Sequence, residues 1–307
     1  KEQEAVNQIF EEGGILFAHG FDAMRKSFHV REFEEKSKKA FNAKNALAVS
    51  SGTAAIKVAL KSIGVLPGDE VITQAFNFIA TIEAILDCGA KPIIANVNDS
   101  LNMDVKDCET LITKKTKAIL PVHMLGVPCD MDSIMELAKK NNLKVLEDNC
   151  EAVGAKYDDK YLGLIGDVGA FSFDFGKVIT CGEGGLVLTN SSSIDKYARE
   201  YHDHGHENNI ELPRGRDSRS IYGFNYRMTE MQAAVGKVQL DKLTFIIQEN
   251  TKRMNALVSN IPSGIKCRLI PKKSSPINDT FIFFIDSENE RQKYISTLIE
   301  LGFGTKN

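Results

Sequence analysis

The sequence lacks several features that would point to a membrane, nucleic-acid-binding or secreted protein. No apolar run is long enough to cross a membrane, and the N-terminus has no signal-peptide pattern. Neither sign of charge is in large excess, because the formal net charge is -3, so neither nucleic acid nor an anionic membrane is expected as a partner. None of the six cysteines forms a Cys-x-x-Cys pair, and we expect reduced thiols in a cytoplasmic protein.

Two common phosphate-binding motifs are also absent. No Gly-Lys-Ser or Gly-Lys-Thr completes a Walker pattern, which argues against a nucleoside triphosphate ligand. No Gly-x-Gly-x-x-Gly follows the first strand pattern, which argues against a nicotinamide-dependent sugar oxidoreductase.

Short apolar segments that alternate with helical patterns dominate the chain. Its 307 residues, 43% hydrophobic and 26% charged, suffice for one large domain and a smaller one. The patterns predict strands at 46–50, 70–73, 91–95, 117–122, 144–147, 169–173 and 186–189, and helices at 2–12, 30–43, 54–63, 78–88, 131–141 and 194–202. Continuous apolar strands between helices are typical of a mostly parallel sheet covered on both faces, so we expect a three-layer α/β/α large domain.

A second, smaller domain is expected after this sheet. A long helical pattern begins at Thr229, and a strand at 280–285 and a helix at 291–301 follow. We place the large domain at 1–240 and a small C-terminal α/β domain at 241–307, and we expect the small domain to be incomplete at Asn307.

Lys177 is the first candidate functional residue. It follows the 169–173 strand, has apolar residues on both sides, and precedes the glycine-rich Gly182-Glu183-Gly184-Gly185. Burial disfavours the charged form of a lysine amine, as an imine-forming lysine requires. The alternative is a surface lysine on a loop.

A strand-to-helix turn at Ser51-Gly52-Thr53 is the second candidate. Backbone N–H groups at a helix N-terminus, with a glycine that allows close approach, form a natural phosphate site. A plain Ser or Thr N-cap would give the same pattern.

Asp148 and Phe78 complete a possible ligand site. Asp148 follows a strand, and ligands gather at the carboxyl ends of strands in open α/β sheets, where a carboxylate could pair with a cationic ring nitrogen. Phe78 opens a helix and could stack on a flat cofactor. The alternatives are an aspartate that caps a turn and a core phenylalanine.

Three histidines alternate at His202, His204 and His206. The glycine and polar residues around them favour a loop over a polar substrate rather than a metal site, because no clear fourth ligand accompanies them. We therefore predict no metal.

Taken together, the segments resemble the DegT-type sugar aminotransferases, which use pyridoxal phosphate on the fold-type I scaffold. The matching segments, in the family's order, are Ser50-Ser51-Gly52-Thr53-Ala54-Ala55, Pro67-Gly68-Asp69-Glu70-Val71-Ile72, Phe78-Ile79-Ala80-Thr81, Pro121-Val122-His123, Glu147-Asp148-Asn149-Cys150-Glu151-Ala152, Gly166-Asp167, Phe171-Ser172-Phe173, Lys177-Val178-Ile179-Thr180, Gly182-Glu183-Gly184-Gly185 and Gly223-Phe224-Asn225-Tyr226-Arg227-Met228-Thr229-Glu230. The ordered set covers about residues 8–250 and is far more specific than any one segment.

The resemblance implies roles for individual residues. Lys177 falls at the lysine that forms a Schiff base with the cofactor, and Asp148 falls at the carboxylate that pairs with the pyridine nitrogen. The other implied cofactor-binding residues are Phe78 on the ring, Gly52, Thr53 and Ser172 at the phosphate, Ala54 beside them, and Asn225 at the phosphate from a neighbouring subunit, which implies a homodimer with shared active sites. Glu151 stands near the phenolic oxygen, where the family most often has glutamine or histidine, so a carboxylate there needs a proton or a partner. His123, His204 and Arg227 are candidate substrate residues.

The implied reaction moves an amino group from L-glutamate to a keto- or aldehydo-sugar, with Lys177 as general base and acid. The spelling Phe173-Asp174-Phe175-Gly176-Lys177 is similar to the branch that converts the 8-aldehyde of 3-deoxy-manno-octulosonate into 8-amino-3,8-dideoxy-manno-octulosonate for lipopolysaccharide. A carboxylated acceptor would suit Arg214, Arg216, Arg219 and Arg227, although these could equally form a solvated or interface cluster.

Other functions stay open at this point. The acceptor could be a nucleotide-linked 3- or 4-keto-6-deoxyhexose. The chain could also be a sugar dehydratase with the same cofactor, although such relatives have histidine in place of Lys177, or a non-catalytic family member.

Overall fold

A seven-stranded, mostly parallel sheet forms the centre of the fold. The computed structural model describes residues 1–207 and 216–303. The strands up to residue 189 are β1 (Asn45–Val49), β2 (Glu70–Gln74), β3 (Lys91–Ala95), β4 (Thr116–Leu120), β5 (Lys144–Asp148), the short hairpin β6 (Lys156–Tyr157) and β7 (Lys160–Tyr161), β8 (Val168–Ser172) and β9 (Gly185–Thr189). The sheet order is β1-β9-β8-β5-β4-β2-β3. Strand β9 runs antiparallel to both of its neighbours, and the pairs from β8 to β3 are parallel.

Helices cover both faces of this sheet. They are α1 (Glu2–Glu11), α2 (His29–Phe41), α3 (Gly52–Ser62), α4 (Ile79–Asp87), α5 (Val105–Thr110), α6 (Met131–Lys140), α7 (Ser192–His202), α8 (Glu230–Val258) and α9 (Glu288–Glu300). Buried residues of α3, α4 and α7 form one core cluster with the sheet, and those of α2 and α8 and of α5 and α6 form two further clusters. The layers are therefore α/β/α, as the sequence predicts.

Strand β1 shows why these strands read as unbroken apolar runs. Leu47 and Val49 belong to the core cluster that contains α3, whereas Ala46 and Ala48 belong to the one that contains α2. Successive side chains of a strand point to opposite faces, so a strand covered on both faces has no solvent-facing position left for polar residues.

Each of the seven predicted strands forms part of the sheet, with ends that differ by no more than two residues. The prediction of a strand over 280–285 is wrong in extent, because only Phe283–Phe284 pairs, as β12, with β10 (Lys266–Cys267). A further short strand, β11 (Ser274–Ser275), adds to the β6–β7 hairpin, so the C-terminal segment also contacts the large domain.

Helix α8 leads from the sheet into the C-terminal segment. It begins at a capping box in which Thr229 and Gln232 bond to each other's backbone. Its 29 residues run through positions 240 and 241 without a break, and the division of the chain into 1–240 and 241–307 stays a prediction. Neither α8 nor another helix in the described ranges is both long and apolar enough to cross a lipid bilayer.

Candidate active site

A cavity of about 480 Å³ opens where β5 and β8 end and where α3 begins. Carboxyl ends of parallel strands meet at one edge of a sheet, which brings residues distant in sequence together there. Seven of the predicted cofactor residues line the cavity, namely Gly52, Thr53, Phe78, Asp148, Glu151, Ser172 and Lys177. Their positions agree with the sequence analysis, while their roles stay predictions.

The N-terminus of α3 forms one wall of the cavity. Ser51 is the N-cap, and its hydroxyl accepts a hydrogen bond from the amide of Ala54 at 3.1 Å. The amides of Gly52 and Thr53 have no acceptor among the described residues, so they keep hydrogen-bonding capacity next to the cavity. Ala54, a predicted cofactor residue, does not line the cavity, and its amide is already bonded to the N-cap hydroxyl.

Position 52 requires glycine because Ser172 and Cys150 approach it closely. A Cβ atom at this position would lie 2.7 Å from Cβ of Ser172 and 3.0 Å from Sγ of Cys150. Both distances are shorter than ordinary van der Waals contact. The glycine therefore lets the start of α3 and the end of β8 come together under the cavity.

Asp148 is a buried carboxylate at the end of β5, with 3% of its surface exposed. Its Oδ2 accepts a hydrogen bond from the Thr81 hydroxyl at 2.8 Å, and its Oδ1 accepts one from the Cys150 amide at 3.0 Å. Burial, together with the neighbouring Asp148 charge, raises the pKa of the Cys150 thiol well above its usual range. Cys150 is therefore an inert thiol in this wall.

Thr81 was not singled out in the sequence analysis as a functional residue, although a signal existed. It lies three residues after Phe78 in the matching segment Phe78-Ile79-Ala80-Thr81, and residues three apart share one side of a helical turn. Asp174 and Glu183 also line the cavity and were likewise not singled out.

Lys177 faces Glu151 across the cavity. The Lys177 Nζ atom lies 3.8 Å from Oε1 of Glu151 and 6.0 Å from the ring centroid of Phe78. The second oxygen, Oε2 of Glu151, accepts a hydrogen bond from the Leu125 amide at 3.0 Å. The Glu151 carboxylate therefore has two partners, the Lys177 amine and the Leu125 amide.

His123 does not line the cavity, and its role as a substrate residue stays a prediction. Its side chain is fully buried, with Nε2 3.3 Å from Oε2 of Glu147. Its Nδ1 accepts a hydrogen bond from the Cys129 amide at 2.9 Å. Because Nδ1 acts as an acceptor, the ring proton resides on Nε2 and faces the carboxylate. This histidine holds the strand ends together beneath the site.

The residues His204, Asn225 and Arg227 come together at a different place. Residues Asp203 and Asn225 form a bridge, and the His204 amide donates to the Phe224 carbonyl. The Arg227 guanidinium pairs with the buried Asp203 carboxylate. None of the three lines the cavity of its own chain.

The histidine cluster does not converge on one point. His202 is buried, with Nδ1 2.5 Å from the Arg199 carbonyl, and His206 pairs with Asp217 through Nδ1 at 2.9 Å. Within residues 1–207 and 216–303, no group of three histidine, cysteine, aspartate or glutamate side chains could hold a metal ion. Arg214, from the arginine cluster of the sequence analysis, lies outside the described residues.

The α/β/α layers, with a lysine and a buried aspartate at the strand ends, define a fold-type I aminotransferase fold. The aminotransferase from Psychrobacter cryohalolentis has this fold, at 31% identity and a TM-score of 0.87, over 98% of this chain and 80% of that chain. The aminotransferase PseC of Helicobacter pylori, involved in the biosynthesis of pseudoaminic acid, matches at 26% identity and a TM-score of 0.84, over 98% and 80%.

The chain belongs to the DegT/DnrJ/EryC1/StrS aminotransferase family, whose model matches residues 19–306. This is a family of pyridoxal-phosphate-dependent sugar aminotransferases, so the resemblance drawn from the sequence is confirmed at family level. GDP-perosamine synthase of Escherichia coli O157:H7 is 38% identical over 92% of this chain, which spans 73% of that protein. GDP-perosamine synthase of Caulobacter vibrioides is 43% identical over 70% of this chain, which spans 57% of that protein.

Proposed function

We propose that this chain transfers an amino group from L-glutamate to the keto group of a nucleotide-linked keto-deoxyhexose. The observation that carries the proposal is the meeting of Lys177, Asp148 and the open N-terminus of α3 in one cavity. Each of these three features serves a different part of one cofactor, and they come from three separate segments of the chain.

The described residues fit pyridoxal phosphate. The two amides at Gly52 and Thr53, left without acceptors and approached closely because position 52 has no Cβ, would hold the phosphate. The buried Asp148 carboxylate would pair with the protonated ring nitrogen, and the exposed Phe78 ring would stack on the cofactor. When bound, pyridoxal phosphate supplies the electron sink that stabilises negative charge at the donor carbon.

Lys177 would then move the proton. Its amine lies in the cavity. It would take a proton from the α-carbon of the donor and deliver it to the carbon of the cofactor. Glu151 Oε1, at 3.8 Å, would orient that amine.

The relatives favour a nucleotide-linked acceptor over the octulosonate aldehyde of the sequence analysis. Both relatives described above are named GDP-perosamine synthases. The Phe173-Asp174-Phe175-Gly176-Lys177 spelling supports the octulosonate branch only by resemblance, so this acceptor becomes the competing outcome in the experiment.

We also propose that the enzyme works as a homodimer with shared active sites. A nucleotide-linked acceptor carries phosphate charges, whereas Lys177 is the one cationic residue among the described residues that line the cavity. Tyr222 and Phe224 are 70% and 45% exposed and lie just before Asn225 in the chain. A second subunit that covers these aromatic rings would bring further polar groups to the site.

The experiment offers two acceptors side by side. Purified protein with pyridoxal phosphate and L-glutamate is incubated with a GDP-linked 4-keto-6-deoxyhexose or with the 8-aldehyde of 3-deoxy-manno-octulosonate, and mass spectrometry detects aminated product. We expect product from the GDP-linked sugar, none with Lys177→Ala, and an unchanged rate with Lys196→Ala, an exposed lysine on α7. Product from the aldehyde alone would overturn the proposed acceptor, and product from Lys177→Ala would overturn the role of the lysine.

A further inference from the structure

A strained turn connects the active site to the rest of the large domain. Leu125, in the Met124–Gly126 turn, has φ +51° and ψ +44°, a left-handed conformation that is unfavourable for a leucine. Such a conformation persists only when surrounding contacts determine it. In this turn it directs the Leu125 amide to Oε2 of Glu151 at 3.0 Å, while the other oxygen of Glu151 faces Lys177.

Asn102 holds the turn from below. It is 1% exposed, and its Oδ1 accepts a hydrogen bond from the Met124 amide at 3.2 Å. Its Nδ2 donates to the carbonyls of Val127 and Pro128, each at 3.0 Å. One amide side chain therefore fixes the backbone on both sides of Leu125.

The C-terminal segment contacts both Asn102 and the Met124–Gly126 turn. Arg268 is 7% exposed; its Nη2 lies 3.2 Å from Oδ1 of Asn102, and its Nε donates to the Ser100 carbonyl at 2.5 Å. The Ile277 amide donates to the Gly126 carbonyl at 3.2 Å, and a Cβ at Gly126 would lie only 2.3 Å from the Ile277 side chain. Residues that lie 140 or more positions later in the sequence therefore pack against this turn.

We infer that Asn102, clamped by Arg268, is a positioning residue that fixes the Met124–Gly126 turn so that Leu125 holds the Glu151 carboxylate toward Lys177. The inference rests on the proposed function for its catalytic consequence, since the orientation of Lys177 matters for proton transfer. The positioning of Leu125 and Glu151 by Asn102 does not need the cofactor, because each contact lies within this chain.

The first measurement therefore uses the protein without cofactor. Hydrogen exchange of the Leu125 amide is followed by NMR or by mass spectrometry of the peptide that contains it. We expect Asn102→Ala and Glu151→Ala each to speed this exchange by about tenfold or more, because each removes a support of the partly buried hydrogen bond between the Leu125 amide and Glu151. Glu151→Gln keeps an acceptor oxygen, so Leu125 should stay protected. Asn141→Ala, which removes a side chain that bonds only the Leu137 carbonyl of its own helix, is the matched control.

The second measurement is a double-mutant cycle on kcat and KM for L-glutamate. Asn102→Ala should lower kcat about tenfold in the natural background and less than twofold in the Glu151→Ala background, with KM little changed, because it acts through Glu151. Equal effects in both backgrounds would overturn the inference. An unchanged exchange rate of Leu125 in Asn102→Ala would overturn it as well.

Arg268→Lys covers the case in which Asn102→Ala does not fold. A lysine keeps a charge near the Ser100 carbonyl but loses the second donor that reaches Asn102, so it should speed exchange of Leu125 and lower kcat in the same direction. Leu125 exchange at the natural rate in this variant would count against the clamp. A wild-type protein that never transfers an amino group would overturn the proposed function, whereas the exchange measurement would still decide the clamp.

Discussion

The hydroxyl of Thr81 donates a 2.8 Å hydrogen bond to Oδ2 of Asp148, and this bond joins the first turn of α4 to the end of β5. Both side chains are buried, with 1% and 3% of their surface exposed, and both line the cavity. The orientation of the carboxylate at the bottom of the cavity therefore depends on a residue of a neighbouring segment.

Replacement of Thr81 by valine should remove the hydrogen bond to Asp148 and lower activity, while the shape of the side chain stays the same. A hydrogen bond to a charged group contributes about 1.5–3 kcal/mol, so kcat/KM should fall by about ten- to a hundredfold. Steady-state kinetics with L-glutamate measures the change. Thr81→Ser keeps the hydroxyl and serves as the control, and a valine variant as active as the serine variant would contradict the role of this bond.

Gly52→Ala tests the phosphate wall. The new Cβ would meet Ser172 at 2.7 Å and force the start of α3 away from β8, so we expect the affinity for pyridoxal phosphate to fall by about tenfold or more. Gly176→Ala is the matched control, because position 176 lines the same cavity and its Cβ would approach only Asp174, at 3.5 Å. Titration of protein fluorescence with the cofactor gives both affinities; equal values would refute the fit at Gly52.

His123 should contribute to stability rather than to substrate binding. His123→Ala removes the side-chain partner of the buried Glu147 carboxylate, which keeps its three backbone donors, so the free energy of unfolding should fall by about 1–3 kcal/mol. Urea unfolding should show this loss, while KM for the acceptor stays within about twofold in the folded fraction. A large rise in KM with an unchanged free energy of unfolding would instead support the substrate role that the sequence predicts.

Stability should fall in acid because of a buried histidine. Burial lowers the pKa of His202 from 6.5 to about 3, so the folded protein binds fewer protons than the unfolded chain between these values. This contribution to stability is therefore fully present above pH 6.5 and is lost as the pH falls toward 3, at up to about 1.4 kcal/mol per pH unit.

Urea unfolding between pH 8 and pH 5 measures this slope. Burial also lowers the pKa of His29, whose ring nitrogens have no hydrogen-bond partner in the described part of the chain, so a second contribution of the same sign is expected. His202→Asn should flatten the curve below pH 6.5 relative to the natural protein, and an identical slope would contradict the assignment.

The sheet could be predicted from the sequence because most of its strands are buried on both faces, although the edge strand β3 is buried only in part. The apolar runs at the seven sheet strands are typical of a covered, mostly parallel sheet, and the ends of these strands follow to within two residues. The two-residue strands β6 and β7 lie outside this sheet and have no such run. The C-terminal segment gave a weaker pattern. The apolar run at 280–285 suggests a full strand, yet only Phe283 and Phe284 pair, because β10 offers only two residues as partner.

The site could be predicted where one residue type is chemically required, as at Lys177, Asp148 and Gly52. Long-range contacts could not be predicted, because nothing in the spacing of Asn102, Leu125 and Arg268 shows that they meet. The same limit applies to His123, because a histidine after a strand gives the same sequence pattern whether it points into a cavity or, as in this structure, into the core.

The most direct test of the account is to find where the cofactor becomes attached. Protein incubated with pyridoxal phosphate is reduced with borohydride and digested, and the labelled peptide is sequenced by mass spectrometry. The account predicts one label, on Lys177, that is lost when L-glutamate is added before the reductant. A label on another lysine, or a Lys177 label that L-glutamate leaves unchanged, would contradict it.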